Sequence, residues 1–576
     1  MLKISGIFLF LICFSITVTA ADELSRERQL EIIQHYLLAT GHTQILTALS
    51  LSTEVPDDVQ LPLKCGTPAV TQFVLNYDKF DADLKKILGE MADTRPDSLY
   101  NLNESIVSPS GNFRIHYTNS GPNAVPSVDY VNSVAAIYDE VYAFLIDTLS
   151  YPPPPSDGDY DPAGDEFDVY LRDLGGIYYG LTHLDDTITN QSATTYQELD
   201  NDYDSQEFPA YAGRPLDAVR VTCAHEFFHV VQFGMDYTEG TFSFQGPYWM
   251  EMSAVWMEEA KYDHINDYYT YLPYFFEEPY TSIQRFSSEV FFELHPYASV
   301  VYPLFLSERF DRDYIREIWS QCVVLGVRSD DFLEAADYVI DSATGGAYSF
   351  ASTFHEFTVW NYFTGSRAVM APDGFGYSEA DAYEEFMDHG SDSVIAVYNN
   401  YEDSVFQDRV SNTPLNPYHN AAFYMRLDEV QTISLDTTYW ICADGNFPTC
   451  LDSVQVIDPT LGYEELHVDS TFTIGFDLDP DFPYDWGLNI IYQLEDNPDS
   501  TIVEMTTLSQ GFSDILEFEY SDLQQYRSVA FVVTPSSANR ALFWYPNGWY
   551  DVGYQISTEH VIIDSTMINL PAAVFA

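Results

Sequence analysis

Two histidines and a glutamate, spaced for metal chemistry, are the most informative residues of this chain. They are His225, Glu226 and His229 in the run His-Glu-Phe-Phe-His. Residues four apart on a helix share a face, so both imidazoles can reach one ion. Zinc accepts imidazole nitrogens as ligands, and a carboxylate beside it can take a proton from water. The pattern therefore predicts a Zn²⁺ site with Glu226 as general base.

A third protein ligand must come from elsewhere in the chain. A metzincin would have glycine at 232 and histidine at 235, and this chain has Gln232 and Met235. A gluzincin takes a glutamate from a second helix, and Glu251, 22 residues after His229, is the predicted ligand. Glu258 is the alternative, either as the ligand itself or as the acceptor that orients a ligand histidine.

Two predicted helices position these side chains. The zinc motif lies in the helical run 216–233, where Pro215 suits the first turn and Asp217 suits the positive N-terminal end. Gly234 suits a helix stop. The second helix is predicted over residues 248–260 and carries both glutamates.

The two helices together resemble a known zinc core. Residues 225–234 and 249–258 are similar to the zinc helices of a poorly characterised family of secreted bacterial gluzincin-like metalloproteases, and weaker likeness covers roughly residues 60–400. The resemblance implies an α+β zincin-like catalytic domain with a mixed-sheet lobe, a helical lobe and a thermolysin-like zinc core. It also implies a zinc peptidase in which Glu251 joins the two histidines as ligand and Glu226 is the base.

A residue that steadies the oxyanion is expected downstream of the zinc helices. His295 and Tyr297 are the candidates, because they stand at the start of a predicted helix. Tyr248, Tyr268 and Tyr269 are rivals. The chain has 44 tyrosines, and since most must serve packing, the sequence does not choose among them.

A cysteine near the N-terminus matches an inhibitory device. The run Cys65-Gly66-Thr67-Pro68 resembles the cysteine-switch motif of matrixin propeptides, in which a thiolate takes the position that water needs. We therefore expect residues 21–111 to be propeptide-like, with Cys65 as an inhibitory ligand. The alternative is an ordinary turn with a free or disulfide-paired cysteine.

The net charge and the N-terminal residues limit where the protein is expected to act and what it is expected to bind. With 23 Lys and Arg against 89 Asp and Glu, the formal charge of -66 excludes nucleic-acid binding and predicts stabilisation by salt. Residues 1–20 read as a signal peptide, because Lys3 precedes an apolar run and a small-residue cleavage site. The protein is predicted to be secreted, with no membrane span, and a disulfide is predicted between Cys442 and Cys450.

The rest of the chain divides into two predicted domains. Residues 112–412 form the zinc metallopeptidase domain, and residues 413–576, with short alternating runs, form a β-sandwich-like domain. Local patterns predict helices over residues 26–50 and 130–149, and strands over residues 113–117 and 167–171. Residues 157–165 have carboxylates at alternate positions, which suits either Ca²⁺ or a solvated acidic loop. We expect a monomer whose C-terminal domain binds a surface or a carbohydrate, or simply supports the fold.

The favoured function is a secreted zinc-dependent endopeptidase, made as a zymogen, that hydrolyses polypeptides with a zinc-activated water. One alternative is an exopeptidase on the same zinc core. Another is a non-catalytic surface adhesin that retains a zincin fold. Glu226 argues against the adhesin, because a structural zinc site needs no base.

Overall fold

The computed structural model describes most of the chain, and the described ranges are residues 24–53, 62–89, 95–156, 165–240, 247–286, 294–327, 331–383, 396–398, 419–428, 471–478, 485–494, 498–508, 516–519, 525–538 and 552–559. The predicted signal peptide and the predicted Cys442–Cys450 disulfide lie outside these ranges. So does the predicted calcium loop, except for Asp165.

The protein has a mixed α/β architecture built on a six-stranded mixed sheet. Its strands are β1 (Leu63–Cys65), β2 (Glu104–Val107), β3 (Phe113–Tyr117), β4 (Phe167–Arg172), β5 (Tyr178–Thr187) and β6 (Ala193–Asp200). The spatial order is β1-β5-β6-β4-β3-β2. The pairs β1–β5, β6–β4 and β4–β3 are parallel, and the pairs β5–β6 and β3–β2 are antiparallel. The strands predicted at 113–117 and 167–171 are confirmed.

Short helices precede and follow the first strand. They are α1 (Arg26–Ala39), α2 (Thr43–Leu49), α3 (Thr67–Asn76), α4 (Ala82–Leu88) and α5 (Pro96–Tyr100). The single helix predicted over residues 26–50 is wrong, because a turn with Gly41 at φ +73° separates α1 from α2. Apolar residues of α1, α3 and α4 form one buried cluster with Tyr178 and Leu181 of β5. The N-terminal region is therefore packed onto the sheet.

Helices make up most of the middle of the chain. They are α6 (Val128–Tyr142), α7 (Pro215–Asp236), α8 (Tyr248–Tyr262), α9 (Pro273–Phe276), α10 (His295–Ala298), α11 (Val301–Arg309), α12 (Asp313–Leu325), α13 (Phe332–Thr344) and α14 (Phe350–Tyr362). The helix predicted over 130–149 begins earlier, where the Ser127 side chain caps α6, and its last part is a π-helix, Ala143–Thr148. Within the described ranges, no helix is both long and apolar enough to cross a membrane.

The C-terminal part contains two further sheets. Their strands are β7 (Ala396–Tyr398), β8 (Phe423–Asp428), β9 (Thr471–Leu478), β10 (Asp485–Gln493), β11 (Thr501–Leu508), β12 (Leu516–Glu519), β13 (Ser528–Ser536) and β14 (Val552–Glu559). One sheet has the order β11-β10-β13-β8-β7 and the other β12-β9-β14. The first packs on α14 through a buried apolar cluster.

Strand pairing crosses both predicted domain boundaries. β2 lies before residue 111 and pairs with β3, which follows it. β7 lies before residue 412 and pairs with β8, which follows it. The sheets therefore join segments that the sequence assigned to different domains.

Candidate metal centre

The histidine pair lies on a long buried helix, α7. Pro215 and Asp217 are in its first turn, as predicted. The predicted stop at Gly234 is wrong, because α7 continues to Asp236. A Cβ on Gly234 would lie only 2.7 Å from Cδ of Pro155, so close packing explains this glycine. α7 packs against β5, β6 and α8, which buries the face that carries the two histidines.

Four side chains from three elements converge beside α7. The Nε2 atoms of His225 and His229 are 3.1 Å apart. The carboxylate of Glu251, in the first turn of α8, lies 3.4 Å from one and 3.5 Å from the other. Cys65, at the end of β1, completes the group, and the four ligand atoms all lie within 4.8 Å of one another. Every member is at most 4% exposed.

Both imidazoles are oriented through their second ring nitrogen. Nδ1 of His225 is 2.8 Å from Oε1 of Glu258, and Nδ1 of His229 is 2.6 Å from Oε1 of Gln232. Metal-ligating histidines are typically held in this way by an acceptor on the far side of the ring. The Nε2 atoms are left facing Glu251. Glu258 therefore stands where an acceptor for a ligand histidine would stand, one of the two roles open to it from the sequence.

The carboxylate of Glu226 is held at one oxygen only. Its Oε2 accepts hydrogen bonds from Oγ1 of Thr182 at 2.8 Å and Oγ1 of Thr67 at 3.0 Å. Gln197 donates to the Thr182 hydroxyl at 3.0 Å and so helps to orient it. Oε1 of Glu226 is buried and has no hydrogen-bond partner among the described residues. This oxygen can accept a proton at the centre.

Strand pairing brings Cys65 to the centre. The backbone N–H of Leu63 donates to the carbonyl of Ile177 at 2.7 Å, and that of Gly66 donates to Gly180 at 2.9 Å. These bonds fix β1 along the edge of β5 and place Cys65 opposite Gly180. The cysteine thus reaches the histidines from a segment more than a hundred residues earlier in the chain.

The cysteine thiol faces the carboxylates of the centre. Burial raises the pKa of Cys65, and Glu226 and Glu251 raise it further. A thiol in such surroundings keeps its proton unless a metal ion displaces it. Two other free cysteines, Cys223 and Cys322, are buried and do not belong to the cluster.

The charge of the centre suits a bound cation. Glu226, Glu251 and Glu258 are each at most 3% exposed. Burial tends to lower the pKa of His225, but Glu251 and Glu258 more than offset it and raise the pKa to about 9. Burial tends to raise the pKa of Glu251, but His229 and then His225 lower it to about 2. Buried carboxylates need positive charge nearby. A divalent cation would supply it, so the residues fit a metal ion.

The two predicted oxyanion residues have different surroundings. Both ring nitrogens of His295 lie 3.0 Å from backbone carbonyl oxygens, those of Tyr274 and Ser282. The imidazole is therefore engaged by the backbone of α9 and of the segment after it, and His295 is not a member of the four-residue ligand group. Tyr297 is buried, and its ring centroid lies 6.2 Å from that of His225.

The three other tyrosines considered for the oxyanion role make the following contacts with residues outside the ligand group. The hydroxyl of Tyr248 accepts a hydrogen bond from Gln284 at 3.3 Å. The hydroxyl of Tyr268 donates to Glu379 at 2.8 Å, and Tyr269 packs edge-on against Tyr268 with centroids 4.8 Å apart. Tyr297 is the member of the predicted set that packs beside a clustered histidine.

Several residues around the centre were not predicted from the sequence, namely Lys64, Thr67, Thr182, Gln232 and Asp267. Gln232 had a usable signal, because it is a polar residue three positions after His229 in an otherwise apolar helix. The others gave none, since their positions depend on pairing between distant segments.

Comparison of the chain with models of protein families finds no match, and comparison with curated proteins finds none either. The resemblance of the two zinc helices stays a prediction. The function must be argued from the geometry of the centre.

Proposed function

We propose that the chain is a secreted zinc-dependent endopeptidase made as a latent precursor. One observation supports this above all: Cys65, His225, His229 and Glu251 form one buried ligand group, with Glu226 beside it. In this proposal β2–β6 and α6–α14 belong to a zincin-like catalytic domain. Residues 1–20 direct export, and the C-terminal sheets form a β-sandwich-like domain that binds a surface or a carbohydrate.

The chain's own residues account for the proton transfers of peptide hydrolysis. A bound zinc ion would lower the pKa of water and polarise the scissile carbonyl. Glu226 takes the proton of the attacking water on Oε1 and passes it to the leaving amine. Thr67 and Thr182 hold the other oxygen and keep the carboxylate oriented. Tyr297 is the candidate donor to the oxyanion.

The N-terminal segment accounts for latency. Cys65 fills the fourth ligand position, and β1 covers the edge of β5, where an extended substrate could pair by β-augmentation. Because β2 is part of the central sheet, removal of residues 21–111 would take away a structural strand. We therefore place the end of the inhibitory segment between α4 and α5, before Arg95.

A second candidate function has one observation in its favour. The ligand set is complete and closed to solvent, and closed four-ligand sites are typical of structural zinc. A binding protein or adhesin with a metal-stabilised fold would fit that feature. The open oxygen of Glu226 favours the peptidase, because a structural site has no use for a buried unpaired carboxylate oxygen.

Cobalt substitution tests the ligand set. We expect one divalent ion per chain and, with Co²⁺, a thiolate-to-metal charge-transfer band. Cys65→Ser should abolish the band, whereas Cys223→Ser and Cys322→Ser, the matched buried controls, should retain it. A band that survives Cys65→Ser would exclude Cys65 as a ligand.

A cut between α4 and α5 tests the activity. A thrombin recognition sequence replaces residues 90–94 in the full chain, the protein is cut, and the N-terminal fragment is removed by gel filtration. We expect zinc-dependent cleavage of internally quenched peptides that is lost with chelator and in Glu226→Gln. Glu277→Gln, at an exposed carboxylate, is the control. A metal-loaded, fragment-free protein that cleaves no peptide would favour the structural-site alternative.

A further inference from the structure

Lys64 occupies a closed acidic pocket next to the metal centre. Its side chain is 0% exposed, and Nζ lies 2.6 Å from Oε2 of Glu258 and 2.7 Å from Oδ2 of Asp267. The ring of Tyr179 lies 5.5 Å from the ammonium and adds a cation–π contact. The hydroxyl of Tyr211 donates to the other oxygen of Asp267 and holds it in place. The pocket is thus built to surround one ammonium group.

The pocket needs its cation. Nζ of Lys64 forms a salt bridge with each of Glu258 and Asp267, so the buried ammonium pairs with both carboxylates. The two carboxylates are at most 9% exposed. Without an ammonium they would lie close together in a buried position where Glu258 keeps its contact with His225 but Asp267 loses its salt bridge, which is strongly unfavourable. Whatever replaces Lys64 must bring positive charge.

The pocket lies beside the metal centre, along the edge of β5. Lys64 immediately precedes Cys65, so its backbone runs along the edge of β5 beside the fourth ligand position. Glu258 contacts Lys64 through Oε2 and His225 through Oε1. A peptide that takes the place of β1 would therefore set one of its side chains over Glu258 and Asp267 while its scissile bond lies at the metal.

We propose that the pocket of Glu258, Asp267, Tyr179 and Tyr211 selects a lysine or arginine side chain in the polypeptide substrate, next to the bond that is cut. The inference rests on the proposed function and specifies its substrate class. β1 then inhibits by presenting Lys64 as a substitute for the substrate's basic side chain. An apolar or acidic side chain leaves the two carboxylates unpaired and is rejected.

Chemical rescue tests the pocket in the full, uncut chain. Lys64→Ala removes the part of the side chain that propylammonium resembles. We expect Lys64→Ala to melt at a lower temperature than wild type, and propylammonium, but not propanol, to raise its melting temperature. Lys79→Ala, at an exposed lysine, should show neither effect. Adding Asp267→Asn to Lys64→Ala should abolish the rescue. Equal effects of propylammonium and propanol would overturn the inference.

Substrate preference is the second measurement, and it does not require Lys64→Ala to fold. The cut, fragment-free protein is given peptides that differ only in having Lys, Arg, Leu or Glu next to the cleaved bond, each with its N-terminus blocked and unblocked. We expect kcat/KM for Lys and Arg to exceed that for Leu by at least about 100-fold. Asp267→Asn should remove most of this preference, whereas Asp263→Asn, at an exposed carboxylate nearby, should leave it unchanged.

The outcomes separate the two proposals. Cleavage of all peptides at similar rates would overturn the basic preference and leave the peptidase standing. Cleavage of none would overturn the peptidase and, with it, the preference. A basic preference that Asp267→Asn does not reduce would show that other residues select the substrate, which also overturns the inference. Cleavage only when the N-terminus is unblocked would show that the pocket binds an α-amino group, as an exopeptidase would.

Discussion

Replacing Gly180 with alanine tests how closely β5 must approach α7 to position Glu226, the proposed general base. Gly180 lies opposite Cys65 in the strand pair. A Cβ at this position would lie 2.8 Å from Cγ2 of Thr222 and 3.0 Å from Cγ of Glu226. Thr222 is buried and β-branched, so its side chain has little freedom to rotate away. Gly180→Ala must therefore move the strand, the helix or the Glu226 side chain.

The size of the effect follows from these contacts. Overpacking of a core costs about 1–3 kcal/mol, and alanine gains about 0.5–1 kcal/mol over glycine in a strand. We therefore expect Gly180→Ala to lower the free energy of unfolding by about 1–2 kcal/mol in urea titrations. A displacement of about 1 Å can cost about 100-fold in rate, so a shift of a few tenths of an ångström at Glu226 should lower kcat about 3- to 10-fold.

A double variant separates the two effects. Thr222→Ser removes Cγ2, the nearest atom, but leaves the contact with Cγ of Glu226. Gly180→Ala with Thr222→Ser should therefore regain stability while kcat of the cut protein stays low. Thr222→Ser alone is the control for the serine, and Glu226→Gln gives the lower limit of activity. An unchanged urea midpoint in Gly180→Ala, or joint recovery of stability and kcat in the double variant, would refute the reasoning.

Three further predictions concern affinity, pH and salt. Gln232→Met, which removes the acceptor of His229, should weaken zinc binding about 10–100-fold in chelator competition. Burial tends to raise the pKa of Glu198, but Arg172 and then His183 lower it to about 2, below its ordinary 4.5. The charged carboxylate therefore stabilises the fold above its ordinary pKa, and this stabilisation is lost on acidification. The difference in free energy of unfolding between wild type and Glu198→Gln should shrink by about 3 kcal/mol from about pH 5 to about pH 2. An unchanged difference would contradict this. Raising NaCl should raise the melting temperature, because salt screens the net charge of -66.

The features predictable from the sequence are those set by local spacing. The two histidines face the same way because they are four residues apart on one helix, and Glu251 reaches them from the next helix along the chain. β3 and β4 were visible as alternating strands. The break between α1 and α2 also had a local signal in Gly41, which the interpretation of one long helix overlooked.

The features that could not be predicted depend on distant pairing. Lys64 and Glu258 are 194 residues apart in sequence, and only the pairing of β1 with β5 brings them together. The surroundings of His295 could not be predicted for a related reason. Its position at a helix start resembled that of a catalytic residue, whereas its ring nitrogens lie beside the backbone carbonyls of Tyr274 and Ser282.

The N-terminal segment is held to the sheet by two chemically different attachments, and in the proposed latent precursor this difference sets how activation must proceed. Around the centre the attachment is polar: Cys65 joins the ligand group and Lys64 pairs with two carboxylates. Farther away it is apolar, because α1, α3 and α4 share a buried cluster with β5. A cut before Arg95 breaks neither attachment. Release must therefore follow cleavage as a separate step, slowed by the apolar cluster and hastened by any basic peptide that competes with Lys64 for Asp267 and Glu258.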